Sequence, residues 1–413
     1  MSIEILIYIA AFFGLFAVVF YFLGITGRKT EEELFLADKE LPTVSIIIPA
    51  YNEEKGIAAT IKSASELDYP KNKLKIIVID DGSRDNTYKI AKKFESEIIM
   101  VYTKKNGGKG AALNLGISRA KSEIIVTMDA DTFAEKSALK NMARYFKRKE
   151  VVCVTPVMTI NNPHGIWTRI QQVEYFLGIF LRKAFASMNA IHITPGAFSA
   201  YRKIFFDKHG GFDEKNITED LEIALRIQAN NFRIENSLNS VIYTVAPETF
   251  NSLLKQRRRW YHGLIVNLWS YRRLFSKKYG DLGLIVLPIA VLTILFSMII
   301  TSYTFIKTVF NIGNELVMLR SINFNFINYF EFSKYFIEKI VFSMFSSTIF
   351  LISLMFIAIL VAYMIFAKTK VKEHSAIKIS LALFLIFYSV LFVFWWIVSI
   401  VYTLFRVEVK WGK

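Results

Sequence analysis

The 413-residue chain reads as an α/β protein, a parallel-sheet domain joined to transmembrane and interfacial α-helices. Three observations predict this. Strand-like runs alternate with amphipathic helical stretches in the first half, the pattern that folds into a parallel sheet with right-handed crossovers. Polar and acidic residues gather at the carboxyl ends of those runs, where open α/β sheets bind ligands. Four uncharged runs, residues 5–25, 282–306, 340–367 and 379–405, each exceed the roughly 20 apolar residues that span a bilayer.

The first apolar run has no Lys or Arg before it and is followed by Arg28 and Lys29. That predicts an uncleaved anchor with its amino end outside, not a signal peptide. The positive-inside rule then puts residues 28–281 in the cytosol, in agreement with Arg272, Arg273, Lys277 and Lys278 before the second run and Lys368, Lys370 and Lys372 after the third. Four crossings return the carboxyl tail to the outside, against the charges of Arg406, Lys410 and Lys413. Either the tail is outside, or one segment is re-entrant or lies along the interface. The expected division is an anchor over 1–27, a cytosolic domain over 28–248, an interfacial segment over 249–280 and a three-span region over 281–413. Such a chain is a multi-pass protein of the cytoplasmic membrane.

The formal net charge of +16 suits anionic lipid headgroups. No nucleic-acid-binding motif accompanies it, so no nucleic-acid partner is expected. The single cysteine, Cys153, excludes an intramolecular disulfide or a cysteine-based zinc cluster and, inside an apolar run, is expected to be buried. His192, His209 and His262 lack metal-ligand spacing, and residues 307–339 carry no motif.

The strand-like runs are Val44–Ala50, 75–80, 98–103 and Ile124–Met128, with helical stretches near 54–67, 86–96 and 110–120. Strand one runs into Pro49-Ala-Tyr-Asn-Glu-Glu54 and strand two into Asp80-Asp81-Gly-Ser-Arg-Asp-Asn-Thr87. After strand three comes Asn106-Gly-Gly-Lys-Gly-Ala-Ala-Leu-Asn114, and strand four ends in Asp129-Ala-Asp131. Taken singly, each has a plain structural reading: Asp81-Gly82 is a common turn pair, Asn86 or Thr87 can cap a helix, and the glycines can form a simple loop. Taken together, four polar ends converge on one sheet edge. The two hard carboxylates of Asp129 and Asp131 suit a divalent cation, and a divalent cation suits a diphosphate. Lys109 lacks the glycine spacing and the following Ser/Thr of a Walker loop. The first strand lacks a dinucleotide Gly-x-Gly-x-x-Gly.

Further on, residues 221–227 read as a helix with Leu221, Ala224 and Leu225 on one face, which places Asp220 near a helix start where the dipole favours a carboxylate. Residues 250–275 and 166–188 are amphipathic and read as interfacial helices. Arg257, Arg258 and Arg259 can face lipid phosphates and Trp260 can anchor at the interface. Equally, a Trp face stacks sugar rings and an Arg fork clamps a diphosphate.

In their order along residues 44–262, these motifs resemble the GT-A domain of a family 2 glycosyltransferase: Asn52-Glu53, Asp80-Asp81-Gly-Ser83, the loop of Lys109, Asp129-Ala-Asp131, Thr218-Glu-Asp220 and Gln256-Arg-Arg-Arg-Trp260. The last resembles the Gln-x-x-Arg-Trp of processive membrane-embedded synthases of cellulose, hyaluronan and poly-N-acetylglucosamine. The stretch from Thr194 to Arg202 is similar to the family's acceptor-side loop.

The resemblance implies an inverting, metal-dependent transferase that uses a UDP-sugar, UDP-GlcNAc or UDP-glucose, to extend a polysaccharide. It implies donor contacts at Asn52 and Glu53, base or ribose reading by Asp81 with Asp80, and Lys109 beside the nucleotide. Asp129 would contact ribose or metal, Asp131 would ligate Mg²⁺ or Mn²⁺, Asp220 would be the base, and Glu219 would stand behind it. Gln256, Arg259 and Trp260 would hold acceptor and diphosphate. Partner subunits for secretion are an associated expectation. Two alternatives stay open: transfer of one sugar to a lipid-linked acceptor, and a non-catalytic membrane protein that binds nucleotide sugars.

Overall fold

The computed structural model describes residues 3–26, 36–321, 334–371, 377–405 and 407. Arg28, Lys29, Lys372, Arg406, Lys410 and Lys413, which the charge argument uses, lie outside them.

After α1 (Ile3–Thr26), strands and helices of the first half follow in strict alternation: β1 (Val44–Ala50), α2 (Ile57–Ser65), β2 (Leu74–Asp80), α3 (Thr87–Lys92), β3 (Ile99–Thr103), α4 (Lys109–Arg119) and β4 (Ile124–Met128). β1 pairs in parallel with β2 from Val44↔Leu74 to Ala50↔Asp80 and with β4 from Val44↔Ile124, and β2 pairs in parallel with β3. The register brings the ends of β1, β2 and β3 to one level. Every residue of β1 is buried, as a sheet covered on both faces requires. Ile46, Ile48 and Val126 pack toward Ile57 and Ile61 of α2, and Ile47, Ile77 and Ile125 toward Leu113 of α4. At Gly116 of α4 a Cβ would overlap Ile47, so the helix lies on β1 at a distance that only glycine permits.

The chain then continues through β5 (Thr132–Ala134), α5 (Ala138–Ala143), β6 (Val151–Ile160), α6 (Gly165–Ser187), β7 (Phe198–Arg202), α7 (Lys203–His209), α8 (Glu219–Ala229) and β8 (Arg233–Thr244). The sheet has eight strands in the order β3-β2-β1-β4-β7-β6-β8-β5. The expectation of a parallel sheet therefore holds for β1 to β4 and again for β6 with β8, but the sheet as a whole is mixed. β7 runs antiparallel to both β4 and β6, and β5 runs antiparallel to β8. For β7 the reason is the α6 excursion: the chain leaves at the carboxyl end of β6 and re-enters at that same edge, Phe198 opposite Met128, so β7 runs back against its neighbours. Cys153 lies in β6, fully buried as expected.

α6 is not a lipid-facing helix. Val173, Phe176 and Ile179 pack with Val157 and Val241 of the sheet and with Met364 and Ala367, while Phe180 and Ala184 pack with Ala17 and Tyr21 of α1. It is a buried bridge between sheet and apolar helices. α9 (Phe250–Ser270) follows and is amphipathic as expected. Beyond it lie α10 (Leu287–Ser321), α11 (Lys334–Phe345), α12 (Thr348–Val371) and α13 (Ile377–Leu404). The apolar run 340–367 is broken at Ser346 and Ser347, where Ser347 Oγ accepts from Phe350 N and starts α12 afresh. Among the described residues, four helices are long and apolar enough to cross a membrane: Ile3–Thr26, Leu282–Ser321, Thr348–Val371 and Ile377–Leu404.

Candidate active site

The loops after β1, β2 and β3 are knitted together at the sheet edge. Asn52, at a φ of 55°, accepts from Arg84 N (2.9 Å) and its own N donates to Ser83 Oγ (2.9 Å). Glu53 N donates to Thr87 Oγ1 (2.7 Å). Asn52 is exposed, but its amide oxygen serves the loop. Asp80 is 2% exposed; Oδ2 accepts from Thr103 Oγ1 (2.9 Å), and Oδ1 has no hydrogen-bond partner among the described residues.

Asp81 is bound up in the glycine loop. Its carboxylate is wholly buried and accepts from Lys104 Nζ (2.7 Å), Gly107 N (3.0 Å) and Gly108 N (2.8 Å). It braces the glycine loop from within, because consecutive N–H groups converge on an anion there.

Lys109 joins the two halves of the site. It opens α4, and its ammonium lies between carboxylates from both halves of the sheet: Asp129 Oδ1 at 2.7 Å and Glu219 Oε1 at 3.1 Å. Burial opposes its charge, but Asp129, Glu219 and Asp220 outweigh burial and hold the ammonium above the usual lysine range. Burial pushes the Glu219 carboxyl up, with Lys109 pulling it back.

Asp220 follows the Thr218 N-cap of α8 as predicted. Oδ1 accepts from Leu221 N (2.9 Å), Oδ2 accepts from Gly196 N (3.1 Å), and Thr194 Oγ1 donates to its carbonyl (2.6 Å). Gly196 is held in turn: Thr127 Oγ1 donates to its carbonyl (3.1 Å), and Asp129 N donates to Ala197 O (3.2 Å). A Cβ on Gly196 would stand 2.7 Å from Lys109 Nζ and 3.1 Å from Asp220 Oδ2, so this glycine lets cation and acid share one corner. Sequence reasoning missed Gly196 and Lys104, since neither carries a sign of its partner in its neighbours.

On α9 the first of the three arginines is turned inward. Arg257 is 3% exposed and pairs with Glu174 of α6 at 2.5 Å. Its guanidinium lies 4.4 Å from the Trp260 ring centroid and 5.6 Å from that of Trp395. Arg258 lies over Tyr402 at 4.4 Å. Burial raises the Glu174 carboxyl, opposed by Arg257 and a hydrogen bond from Tyr388. Gln256 Oε1 is buried with no hydrogen-bond partner among the described residues, and Arg259 and Trp260 are partly exposed. α9 meets α8 through Asn267, whose Nδ2 donates to Thr218 Oγ1 (3.0 Å).

No cluster of three or more metal-ligating side chains occurs among the described residues. Asp129 and Asp131 nevertheless fit a magnesium-type ion, which takes one or two carboxylates and completes its shell with substrate phosphates and water. Asp129 is 33% exposed and Asp131 is partly exposed, so both reach the open edge.

Comparisons with known proteins bear on the family and the fold. The sequence model described as Glycosyl transferase family 2 matches residues 45–210. The chain is 30% identical over 312 residues to a poly-beta-1,6-N-acetyl-D-glucosamine synthase of Staphylococcus epidermidis, covering 71% of this chain and 74% of the relative. It is 34% identical over 234 residues to the probable glycosyltransferase YdaM of Bacillus subtilis, covering 54% of this chain and 56% of the relative. Among solved structures, the mannosyltransferase PcManGT of Pyrobaculum calidifontis, in complex with GDP-Man and Mn²⁺, superposes with a TM-score of 0.56 at 21% identity, over 71% of this chain and 86% of that one. Sequence and fold together place the chain in glycosyltransferase family 2, as a hexosyltransferase built on the GT-A fold.

Proposed function

We propose that the protein is an inverting, divalent-metal-dependent transferase that moves GlcNAc from UDP-GlcNAc onto a growing polysaccharide at the cytoplasmic membrane. One observation carries the reading. Asp129, at the end of a donor-side strand, and Asp220, at the start of an acceptor-side helix, meet on Lys109 and Gly196. A binding module has no use for a second acid opposite the first. The choice of sugar rests on the relatives named poly-beta-1,6-N-acetyl-D-glucosamine synthases, one of which aligns over 78% of this chain at 28% identity.

In this reading Asp220 takes the proton of the acceptor hydroxyl. The freed oxygen attacks the anomeric carbon from the face opposite the diphosphate. The bond from that carbon to the diphosphate breaks, its electron pair stays on the departing UDP, and the configuration inverts. When bound by Asp129 and Asp131, Mg²⁺ or Mn²⁺ supplies positive charge against the diphosphate. Lys109 keeps Asp129 and Asp220 in register and tempers their repulsion. Asp80, with an acceptor oxygen unused, serves the base or ribose, while Asn52, Glu53 and Asp81 shape the pocket walls. Gln256, Arg259 and Trp260 hold the acceptor chain, and the unpaired Gln256 Oε1 suits a sugar hydroxyl. The domain over 28–248 faces the cytosol, the segment over 249–280 carries the acceptor site, and secretion subunits are candidate partners.

The test uses purified protein with radiolabelled UDP-GlcNAc, UDP-glucose and GDP-mannose, sizing the product on gels. Long chains from UDP-GlcNAc are expected. Trp260→Ala should shorten them more than it slows donor hydrolysis, since a lost stacking face acts on the acceptor side. A single added sugar in the wild type rejects the polymerising reading. UDP binding without turnover of any donor returns the chain to the non-catalytic alternative.

A further inference from the structure

α13 keeps company with the catalytic layer along its whole length. Near its start, Ser380 Oγ donates to Gln172 Oε1 of α6 (2.7 Å), and Phe384 packs with Val173 and Phe176. In its middle, Tyr388 hydrogen-bonds Glu174. Farther on, Phe394 lies 5.9 Å from Phe250, and Trp396 stacks on Tyr261 with centroids 4.6 Å apart and planes at 10°. At its end, Thr403 Oγ1 lies 2.7 Å from His262 Nδ1. From residue 380 to residue 403 the contact runs about 35 Å at ~1.5 Å per residue. The partners are α6, which packs on the sheet, and α9, which is docked on Thr218; both present charged or titratable groups to α13.

A helix upright in the ~30 Å hydrocarbon core would leave that layer after a turn or two. The other apolar helices do so. α12 meets α6 only through its last turns, at Tyr363, Met364, Phe366 and Ala367, and farther back its Phe356 lies against Gly14 of α1. α10 starts in the same layer at Leu287 and Ile289 and then runs beside α1, Phe296 stacking on Phe13 at 6.2 Å.

We propose that α13 makes no fourth crossing: it lies along the catalytic layer, with both ends on the domain's side of the membrane, and braces the acceptor helix. Its inner face presents Trp395 to Arg257 and Trp396 to Tyr261, the neighbours that flank Trp260. Its outer face is an exposed apolar stripe, Ile386, Val390, Ile397 and Val401, the lipid-facing side of an in-plane helix. The arrangement also removes the charge conflict of the sequence. Lys368, Lys370 and Lys378 then share one side with the basic residues that follow position 405.

The test is cysteine labelling in full-length protein carrying Cys153→Ser, in sealed vesicles of each orientation, with a membrane-impermeant maleimide. Single cysteines go to Lys378 and Val407 at the two ends of α13, to Lys105 as the domain reference and to Gly313 as the far reference. Lys378→Cys and Val407→Cys should label from the same face as Lys105→Cys and the opposite face to Gly313→Cys. Labelling of Val407→Cys together with Gly313→Cys overturns the proposal. So does reactivity in detergent alone, because an in-plane helix must end in water. Should Val407→Cys fail to accumulate, Leu404→Cys, 74% exposed, reports the same end. The readout needs no turnover, so its failure is separate from failure of the glycan reading.

Discussion

Gly263 of α9 and Thr218 at the cap of α8 touch so closely that a Cβ on Gly263 would overlap Thr218 Oγ1. One turn farther, Asn267 closes the same joint with Asn216, which donates to its Oδ1 at 2.7 Å. The helix that carries Gln256, Arg259 and Trp260 is thereby fixed to the turn that carries Asp220.

Gly263→Ala should therefore cost stability although alanine favours helix. Overpacking costs roughly 1–3 kcal/mol against a propensity gain of about 1 kcal/mol. Thermal unfolding should shift down and chain elongation should fall, with UDP affinity unchanged. A variant as stable and as active as the wild type would show that the joint is not tight.

Asp220→Asn should leave UDP binding nearly intact and lower turnover by about 10²–10⁴, the usual worth of a general base. The amide keeps one oxygen for Leu221 N or Gly196 N. Parallel loss of affinity and rate would make Asp220 a structural residue.

Chelation should abolish transfer, and Mg²⁺ or Mn²⁺ should restore it. Asp131→Ala should not be restored, because one of two protein carboxylates for the ion is gone. Calorimetric titration of UDP with and without metal checks this; metal-independent activity in the variant removes Asp131 from the site.

Arg257→Met should destabilise by about 3–5 kcal/mol, because Glu174 is left as an unpaired charge in a buried setting. The pH dependence has a definite sign. Glu174 already lies above 4.5, and without Arg257 it rises further. Between the unfolded and folded values the native chain holds the extra proton, so stability falls as pH rises through that window and returns on acidification. The gap between variant and wild-type melting temperatures should narrow from pH ~8 to pH ~5. Glu174→Gln in the same chain should recover part of the loss at both.

Much of this was legible in the chain. β1 and β4 fall on the expected residues because continuous β-branched runs ending in polar loops permit little else. Asp220 is where its helix signal put it. β6, β7 and β8 escaped notice because the connections between them, long α6 and then α7 with α8, do not repeat the short single-helix crossovers of the donor-side strands, and the direction of β7 depends on where the chain re-enters the sheet after α6. The internal partners of Asp81 and Lys109 also escaped. A carboxylate beside a glycine loop can face a ligand or the loop, and only the fold shows that Gly107 and Gly108 claim it. The burial of Arg257 was equally hidden, since its partner Glu174 lies 83 residues away.

The place where β7 joins β4 has a consequence for how such an enzyme diversifies. The bond from Asp129 N to Ala197 O, like the ladder from Ile124↔Arg202 to Met128↔Phe198, is made by peptide groups alone. On the roles proposed above, side chains on the acceptor side can therefore drift while the spacing between the Asp129 turn and the loop of Gly196 that receives Asp220 is inherited intact. New acceptors become accessible by ordinary substitution, without the reaction geometry having to be rediscovered each time.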